Sequence, residues 1–464
     1  MNAHVDQAGG NAPLMLSVSG LRGIVAASLT PDVAVRYAQA LATWLLDDQG
    51  AAAGDAVVVG RDSRPSGEMI EAAVVAGLLS MGLVPRRAGI VSTPAAALAV
   101  KRASAAGGIV ITASHNPAPW NGIKPIRRDA TAPPPDDAQR IIDAFHAQGF
   151  ATVDATAIHG LGDDVPALAW HVDAAAGLVD AEAIATAKLK AVVDATCGAG
   201  GPEVAALLDR LGVEAILLHA EPTGAFPHAP EPTRENLGEL CDAVTRHAAH
   251  VGLAVDPDAD RLALVDEQGR YLGEEYTLAL AAQARLRSGD TAAANLSTSR
   301  MIDDIADGAG ATVVRTPVGE AHVAAAMRDQ RAAVGGEGNG GVIVPELTFV
   351  RDSLAGMALV LEHLARRGEP LSAVAASIPA YAIVKDKRPR PDAYDAQGLA
   401  RRLGERFPDT RIDTRDGVRL DWADAWMSVR ASNTEPILRL IAEAPSEDRA
   451  RAMLADAAGV LDAS

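Results

Sequence analysis

The sequence predicts an α/β protein in which three successive α/β units are followed by a smaller α+β unit. Short apolar runs rich in β-branched residues recur along the chain, each ends in a loop, and helical patterns separate them. After residue 379 strand patterns and a hairpin turn dominate instead. Apolar residues make up 48% of the 464-residue chain and charged residues 22%, which is typical of a globular protein rather than a disordered or fibrous one.

The first unit is predicted over residues 1–165. Its strands are Ala56–Gly60 (AVVVG) and Gly108–Thr112 (GIVIT), two buried apolar runs. A helical pattern begins at Ser66, directly after the first strand and its turn, and continues to about Met81. The proline-rich stretch 131–137 is predicted to be a surface loop.

The second and third units are predicted over residues 166–269 and 270–378, and they repeat this alternation. Ligands of such sheets bind beyond the carboxyl ends of the strands, so the loops at these ends are the expected places for functional residues. The predicted strands are Leu189–Ala195, His250–Val255, Thr291–Ser297 and 332–335, and the predicted helices include Pro202–Leu211 and the segment after Ser297.

The last unit, residues 379–464, has a different pattern. Asp416 and Gly417 form a hairpin signal, strands are predicted over Ala425–Arg430 and Ile437–Ala442, and a capped helix is predicted from Ser446. Residues 385–395 (KDKRPRPDAYD) are predicted to be a linker.

Charge and composition disfavour several classes of function. The chain has 42 Lys and Arg against 60 Asp and Glu, and a net charge of −18 disfavours binding to nucleic acid or to an anionic membrane. Aromatic residues make up only 3%, too few for a platform that stacks bases. Two cysteines, Cys197 and Cys241, cannot form a disulfide framework, and both are expected to be buried and reduced. With no signal-peptide core and no run of about 20 apolar residues, we expect a soluble cytoplasmic protein.

Three aspartates at alternate positions, Asp256, Asp258 and Asp260, follow a predicted strand. Carboxylates so close together repel one another, and a hard divalent cation such as Mg²⁺ or Ca²⁺ would relieve that repulsion. An EF-hand is disfavoured because Arg261 stands where that loop needs glycine, and because the flanking segments are predicted strands. A solvated acidic loop is the alternative, although Arg261 also favours an anionic ligand beside a metal.

The segment Gly336–Gly341 (GEGNGG) satisfies the pattern G-x-G-x-x-G, which by itself is a weak signal. A dinucleotide site requires a helix next, whereas the strand-like VIVPE follows and is stopped by Pro345. Glu337 and Asn339 would instead offer a carboxylate and an amide to the hydroxyls of a sugar. A plain tight turn is the alternative.

Arg430 begins a polar cluster, RASNTEP, near the C-terminus. A guanidinium, two hydroxyls and an amide within five residues suit a phosphate dianion, and a capping turn is the alternative. The residues of this cluster are Arg430, Ser432, Asn433 and Thr434.

Ser114 lies in TASHNP, at the end of a predicted strand, where a nucleophile is exposed. The G-x-S-x-G elbow of a serine hydrolase is missing, and His115, as the immediate neighbour, is expected to point elsewhere. A seryl oxygen that carries a phosphoryl group needs a metal and cations, and this sequence offers both. A hydroxyl that caps the following helix is the alternative.

In this order and at these intervals, TASHNP, DPDADR, GEGNGG and RASNTEP resemble the motifs of the α-D-phosphohexomutase superfamily. The resemblance covers nearly the whole chain, from SVSGLRG (17–23) to the C-terminal helix. It implies three related α/β domains with mixed sheets and a smaller C-terminal α+β domain, arranged around a central cleft. It also implies a small phosphosugar as substrate, and we expect a monomer or homodimer.

The resemblance implies a role for each motif. Ser114 matches the serine that is phosphorylated in the active enzyme, and the three aspartates match the ligands of one Mg²⁺, which a phosphoserine oxygen completes. Glu337 and Asn339 match the sugar-binding loop, while the RASNTEP residues match the loop that holds the non-transferred phosphate. Arg22 and Lys124 match basic residues near the reacting phosphoryl group, Arg261 adjoins the metal loop, and the segment from Thr316 to Gly319 (TPVG) resembles a loop that senses sugar orientation.

In the implied reaction, phosphorylated Ser114 transfers its phosphoryl group to a sugar hydroxyl, which gives a hexose bisphosphate. The bisphosphate then returns its other phosphoryl group to the serine. Departures from the common motifs bear on the sugar. Asn339 and Gly341 replace a serine and a histidine of many members, so no histidine is available there for proton transfer. Asn433 is typical of phosphomannomutase/phosphoglucomutase enzymes, whereas SVSGLRG with GEGNGG most resembles a divergent phosphoglucosamine mutase group. Glucosamine 6-phosphate is therefore the expected substrate; the alternatives are phosphomannomutase/phosphoglucomutase activity and, more distantly, a non-catalytic sugar-phosphate-binding protein.

Overall fold

The structure is a computed structural model that describes residues 13–391, 394–432 and 437–462, and in these ranges it contains four β-sheets. Each sheet is built from one continuous stretch of chain. The first stretch forms a six-stranded sheet with helices packed against it. Its elements are β1 (Met15–Ser17), β2 (Gly20–Ile24), α1 (Pro31–Asp47), β3 (Ala56–Arg61), α2 (Gly67–Ser80), β4 (Val84–Ile90), α3 (Thr93–Arg102), β5 (Gly107–Ile111), β6 (Trp120–Arg127) and α4 (Pro135–Ala147).

The next two stretches each form a four-stranded sheet. The second contains α5 (Ala167–Ala176), α6 (Ala181–Ala187), β7 (Lys190–Asp194), α7 (Gly200–Arg210), β8 (Glu214–Leu218), α8 (Gly238–Arg246), β9 (Val251–Val255) and β10 (Leu262–Asp266). The third contains α9 (Glu275–Arg285), β11 (Thr291–Asn295), α10 (Met301–Ala309), β12 (Thr312–Thr316), α11 (Glu320–Gln330), β13 (Val334–Glu337), β14 (Gly341–Ile343), α12 (Ser353–Arg367) and α13 (Leu371–Ala376).

These three sheets share one arrangement of strands. A central strand, β3, β7 or β11, has a parallel neighbour on each side. One of these neighbours, β5, β9 or β13, turns back into an antiparallel strand, β6, β10 or β14. The sheets are therefore mixed, as expected. The loop at this reversal occupies the same topological position in all three units, and its residues are 112–119, 256–261 and 338–340.

The fourth sheet is antiparallel throughout, with the strand order β15-β19-β18-β17-β16. This confirms the smaller α+β unit and its hairpin. Its elements are β15 (Ala382–Pro389), α14 (Ala396–Arg406), β16 (Arg411–Asp413), β17 (Val418–Asp421), β18 (Trp426–Ala431), β19 (Ile437–Ala444) and α15 (Glu447–Asp462).

Three local predictions are wrong. The linker predicted over 385–395 instead begins inside strand β15, whose pairing with β19 extends to Pro389. The loop predicted over 131–137 ends early, because Pro135 occupies the first turn of α4, where a missing backbone N–H costs nothing. Cys197 and Cys241 are free thiols, but both are only half-buried.

The hydrophobic core joins the second and third units. A single cluster of buried side chains extends from Val172 to Ile378, and the apolar helix α12 packs in it against α5, α6 and α7. The C-terminal unit has a separate core around Leu403 and Leu440. Among the described residues, none of the helices combines the length and apolarity needed to cross a membrane. A further cluster joins the first unit to Ala167 of α5 and to Val350, so the first three units are packed closely enough for their loops to meet.

Candidate active site

The loop between β9 and β10, residues 256–261, holds the three aspartates together and is called the metal loop, or aspartate loop, below. One carboxylate oxygen each of Asp256, Asp258 and Asp260 lies within 4.8 Å of the others, and all three side chains are buried. The Asp256 carboxylate closes the turn by accepting the backbone N–H groups of Asp260 and Arg261 at 3.1 and 3.2 Å. The flanking strands agree with the prediction that the loop is not an EF-hand.

The electrostatics of this loop suit a bound cation. Burial, together with repulsion from Asp260 and Asp258, raises the pKa of Asp256 well above its ordinary value. Burial acts the same way on Asp258, but Lys124 outweighs it and lowers the pKa of that carboxyl. Within the described part of the chain, Oδ1 of Asp258 and Oδ1 of Asp260 are buried without a hydrogen-bond donor. Buried carboxylate oxygens without donors are costly, and a hard divalent cation is the ligand that satisfies such a set.

Ser114, in the corresponding loop of the first unit, meets these aspartates. Its Oγ donates a hydrogen bond to Oδ2 of Asp256 at 2.9 Å, and its backbone N–H donates to Oγ1 of Thr112 at 2.8 Å. Ser114 adopts a left-handed backbone conformation, with φ of +49°, and is 2% exposed. Residues 142 positions apart in the chain are thereby brought into contact.

His115 does not point away from Ser114, contrary to the prediction. Its Nδ1 lies 3.3 Å from Oγ of Ser114. Burial, followed by the positive charges of Arg261 and Arg22, lowers the pKa of His115 to about 3. The imidazole is therefore neutral near pH 7 and does not add to the positive charge around Ser114.

Arg64 clamps the serine loop, a role that the sequence analysis missed. Its Nη2 donates to the carbonyl oxygens of Ser114 and Asn116, both at 2.6 Å, and its Nη1 donates to those of Pro117 and Trp120. The guanidinium is fully buried and paired through Nε with Asp62 at 3.0 Å. The only signal in the sequence is a pair of opposite charges two residues apart in GRDSR, directly after strand β3.

Three of the predicted basic residues surround the aspartates. Nζ of Lys124, on β6, lies 2.5 Å from Oδ2 of Asp258 and 3.4 Å from Oδ2 of Asp260. Arg261 Nε lies 3.8 Å from Oδ1 of Asp260. Arg22, on the neighbouring strand β2, donates to Oδ1 of Asn116 at 2.9 Å; burial lowers its pKa, and the charges of Asp258 and Asp260 oppose that shift. Cationic groups therefore surround the aspartates, although the whole chain is acidic.

The corresponding reversal of the third unit carries the predicted sugar-binding residues. It consists of Glu337, at the end of β13, and residues 338–340, and it is called the sugar loop below. Oε1 of Glu337 accepts hydrogen bonds from Nδ2 of Asn295 at 2.8 Å and from the backbone N–H of Gly319 at 3.2 Å. Oδ1 of Asn339 is buried and has no donor among the residues that the structure describes. Gly340, with φ of +85°, lies against the first residue of β10, and a Cβ there would be 2.5 Å from the carbonyl oxygen of Leu262.

The TPVG segment connects the sugar loop to the C-terminal unit. Thr316 is buried at the end of β12, and Gly319 precedes α11 and binds Glu337 as described above. Between them, the backbone N–H of Val318 donates to Oδ2 of Asp416 at 2.9 Å. That carboxylate oxygen lies 3.9 Å from Nε of Arg430. The structure thus brings Arg430 towards this segment.

Ser432, at the end of β18, is buried, and its backbone N–H donates to the carbonyl oxygen of Ile437 at 2.9 Å. The predicted residues Asn433 and Thr434 lie outside the described residues. The placement of the predicted phosphate loop therefore rests on Arg430 and Ser432.

Arg351, which no motif indicated, joins the metal loop to the sugar loop. Its Nη2 donates to Oδ2 of Asp260 at 2.7 Å and its Nη1 to Oε2 of Glu337 at 3.2 Å. Its Nε donates to Oε2 of Glu320 at 3.0 Å. Although burial opposes it, these carboxylates raise the pKa of Arg351 well above its ordinary value. One guanidinium therefore pairs with three carboxylates from different segments of the chain.

Comparison with protein-family models accounts for most of the chain. The models for α/β/α domains I, II and III of phosphoglucomutase/phosphomannomutase match residues 15–152, 169–269 and 273–381. The model for the C-terminal domain of the same family matches residues 383–460.

Individual relatives match over nearly their full length. A phosphoglucomutase/phosphomannomutase of Thermococcus kodakarensis is 37% identical over 94% of this chain and 95% of its own. A probable phosphoglucosamine mutase of Methanopyrus kandleri is 36% identical over 93% of this chain and 94% of its own. Among solved structures, a phosphoglucomutase/phosphomannomutase family protein from Burkholderia thailandensis has a TM-score of 0.83 at 28% identity, covering 97% of this chain and 98% of its own.

Proposed function

Because this chain belongs to the phosphoglucomutase/phosphomannomutase family of α-D-phosphohexomutases, we propose that it isomerises glucosamine 6-phosphate to glucosamine 1-phosphate through a phosphorylated Ser114. Phosphohexomutase activity follows from the family. The phosphoserine, the bisphosphate and the particular sugar are the proposal.

The observation that carries this proposal is the contact between Ser114 Oγ and the aspartate cluster. In the first half-reaction the bond between phosphorus and Ser114 Oγ breaks, and the phosphoryl group passes to the C1 hydroxyl of the sugar phosphate, giving a 1,6-bisphosphate. In the second, the 6-phosphoryl group passes to Ser114 Oγ, which leaves the 1-phosphate and restores the phosphoserine. The same bisphosphate would serve as activator, since it can phosphorylate a bare Ser114.

The aspartate cluster fits Mg²⁺, with one ion per active site held by Asp256, Asp258, Asp260 and a phosphoserine oxygen. Bound there, Mg²⁺ would supply positive charge that offsets the negative charge on the transferring phosphoryl oxygens. Lys124, Arg22 and Arg261 add fixed positive charge on the same group without any reorganisation during the reaction.

One feature of the site supports glucosamine over glucose or mannose, whereas the relatives do not discriminate between these sugars. Relatives named probable phosphoglucosamine mutase are 35–36% identical, and one named phosphoglucomutase/phosphomannomutase is 37% identical. The sugar loop presents an unsatisfied acceptor, Oδ1 of Asn339, two residues along the chain from the carboxylate of Glu337. A protonated 2-amino group is a cationic donor and suits this surrounding better than a hydroxyl does.

We propose that the other end of the substrate is held by the C-terminal unit. Arg430 and Ser432, with Asn433 and Thr434 carried over from the family motif, would bind the phosphate that is not transferred. Thr316 and Gly319 would sense which way the sugar faces.

The sugar is tested by measuring kcat/KM for glucosamine, glucose and mannose 6-phosphates side by side, with Mg²⁺ and a trace of hexose 1,6-bisphosphate. We expect glucosamine 6-phosphate to be preferred by at least about tenfold, which corresponds to about 1.4 kcal/mol. A preference for mannose or glucose would establish the phosphomannomutase/phosphoglucomutase alternative instead. No turnover of any of the three would favour the non-catalytic binding protein.

A further inference from the structure

A buried polar cluster behind the metal loop joins the first three units. Its centre is His171 on α5, which is fully buried. The Nδ1 atom of the ring lies 3.0 Å from Oε2 of Glu203 on α7, and the Nε2 atom lies 2.8 Å from Oδ2 of Asp352. Both partners are acceptors, so both ring nitrogens carry protons and the ring is an imidazolium. Burial by itself lowers the pKa of His171, but the two carboxylates outweigh it and raise that pKa to about 10.

His171 lies in the second unit, and each of its two carboxylate partners contacts the beginning of a helix that belongs to the first or the third unit. Glu203 accepts both the backbone N–H and the hydroxyl of Ser92, at 2.7 and 2.6 Å, and Ser92 caps helix α3 of the first unit. Asp352 caps helix α12 of the third unit by accepting the backbone N–H of Ala355 at 3.0 Å. The imidazolium therefore sets the distance between the starts of two helices.

The residues that follow these two caps grip the aspartate loop. Oγ1 of Thr93, next to Ser92, donates to Oδ2 of Asp258 at 2.7 Å. Oγ of Ser353, next to Asp352, donates to the carbonyl oxygen of Ala259 at 2.7 Å. Both contacts would shift if the two caps moved relative to each other, and a metal site tolerates little displacement of its ligands.

We propose that His171 is a positioning residue that acts through Ser92–Thr93 and Asp352–Ser353 to hold the aspartate loop in its metal-binding geometry. The inference rests on the proposed function only in that the aspartates bind Mg²⁺. It concerns residues that touch neither the metal ligands' carboxylates nor the substrate, apart from Thr93.

The test measures Mg²⁺ affinity directly, by isothermal titration calorimetry on the dephosphorylated full-length protein, with thermal melting to confirm folding. His171→Gln keeps the volume and one hydrogen bond but removes the charge and the double contact. We expect its Mg²⁺ dissociation constant to rise by about 10- to 100-fold, the effect typical of losing a residue that orients metal ligands. Ser92→Ala removes the hydroxyl contact with Glu203 and should raise the Mg²⁺ dissociation constant by a smaller factor.

His363→Gln is the matched control, because His363 is a half-buried histidine on α12 whose Nε2 pairs with Gln283, away from the loop. It should leave Mg²⁺ affinity unchanged. An affinity within about twofold of wild type in folded His171→Gln would overturn the inference, and if that variant does not fold, an unchanged affinity in Ser92→Ala would do the same. A wild-type protein that binds no Mg²⁺ would instead contradict the metal assignment of the proposed function and the inference with it.

Discussion

Ser114 has a backbone conformation that residues with a Cβ rarely adopt, with φ of +49°. Strain of this kind persists only where the surroundings enforce it, and here Arg64 holds the carbonyl oxygens of the loop while Thr112 accepts the Ser114 N–H. The result is a hydroxyl aimed at Asp256 from a rigid turn. A phosphoryl carrier needs such a fixed position, because misplacement of the reacting oxygen is costly in rate.

Ser114→Ala should abolish mutase activity and leave the fold intact. The substitution removes only the oxygen that would carry the phosphoryl group, and the backbone contacts of the loop do not involve that oxygen. Turnover of glucosamine 6-phosphate and the melting temperature are the measurements. Ser104→Ala is the control, since Ser104 is an exposed serine with φ of +51° at the end of α3. Activity of Ser114→Ala within about tenfold of wild type would mean that another group carries the phosphoryl group.

The protonated His171 makes the stability of the protein depend on pH. The pKa of His171 is raised to about 10 in the folded protein, against about 6.5 in an unfolded chain. The folded state thus binds the extra proton between these values, and the stabilisation is complete below about pH 6.5 and is lost as the pH rises towards 10. The melting temperature of wild type should therefore approach that of His171→Gln between pH 7 and pH 9. A difference that stays constant over this range would contradict a charged His171.

Among the elements, three equivalent strand reversals supply the serine, the aspartates and the glutamate that is predicted to bind the sugar. Because the three sheets share the arrangement of four strands, β5, β9 and β13 and the loop after each are presented in the same way. Polar contacts link the aspartates to other units: Ser114 of the first loop contacts Asp256, Lys124 of β6 contacts Asp258, and Arg351, just before α12, contacts Asp260. The site is therefore an assembly of loops, and each loop depends on charges from its neighbours.

Arg351→Gln should disturb the metal loop and the sugar loop together. Removing the guanidinium leaves Asp260, Glu320 and Glu337 without their shared cation, and breaking a buried pair on one side costs about 3–5 kcal/mol. We expect a lower melting temperature, weaker Mg²⁺ binding and a higher KM for the sugar phosphate.

The control for that variant is Arg328→Gln. Arg328 pairs with Asp129 between the third and first units, but both side chains are more than a third exposed, so its loss should cost less than about 1 kcal/mol. If Arg351→Gln changes stability alone and leaves KM and Mg²⁺ affinity as in wild type, Arg351 only joins the units and does not shape the site.

At the scale of the whole molecule, the C-terminal unit lies against the third unit through polar contacts. The backbone N–H of Val318 binds Asp416, the backbone N–H of Arg300 binds Glu443 at 3.0 Å, and Arg415 reaches the carbonyl oxygen of Arg315 at 2.8 Å. Its own hydrophobic core is separate. Arg430 belongs to this unit, so the proposed contact with the non-transferred phosphate would come from a different unit than the metal ligands.

Arg430→Ala should mainly weaken substrate binding and slow both half-reactions. Losing a charge-assisted contact with the non-transferred phosphate should lower kcat/KM by a factor that corresponds to about 2–4 kcal/mol of transition-state stabilisation. Mg²⁺ binding should persist, because the proposed ligands belong to the second unit. Arg411→Ala, which removes an exposed arginine from the same sheet, is the control. A variant of Arg430 with normal kcat and KM but a depressed melting temperature would show that this arginine only holds a turn with Asp416.

The fold class, the family and the candidate residues of the four motifs follow from the sequence alone. Apolar runs locate strands such as β3, β5 and β9, because a buried strand needs a short unbroken run of apolar side chains. The aspartates at 256, 258 and 260 could be recognised as a cation site, because carboxylates this close in sequence repel one another wherever the loop lies. The domain boundaries at residues 165, 269 and 378, the cytoplasmic location and the oligomeric state stay predictions.

The distant groups that complete the site can be recognised only from the folded structure. Arg64, Arg351 and His171 each contact a residue far away in the chain, Ser114, Asp260 and Asp352 at 50, 91 and 181 positions, and no periodicity or local spacing connects such partners. Their roles come from burial, because a charged side chain in the interior must find opposite charge or polar groups wherever the packing of sheets and helices brings them. The sequence shows that these residues are charged, whereas the packing of the units determines which groups they pair with.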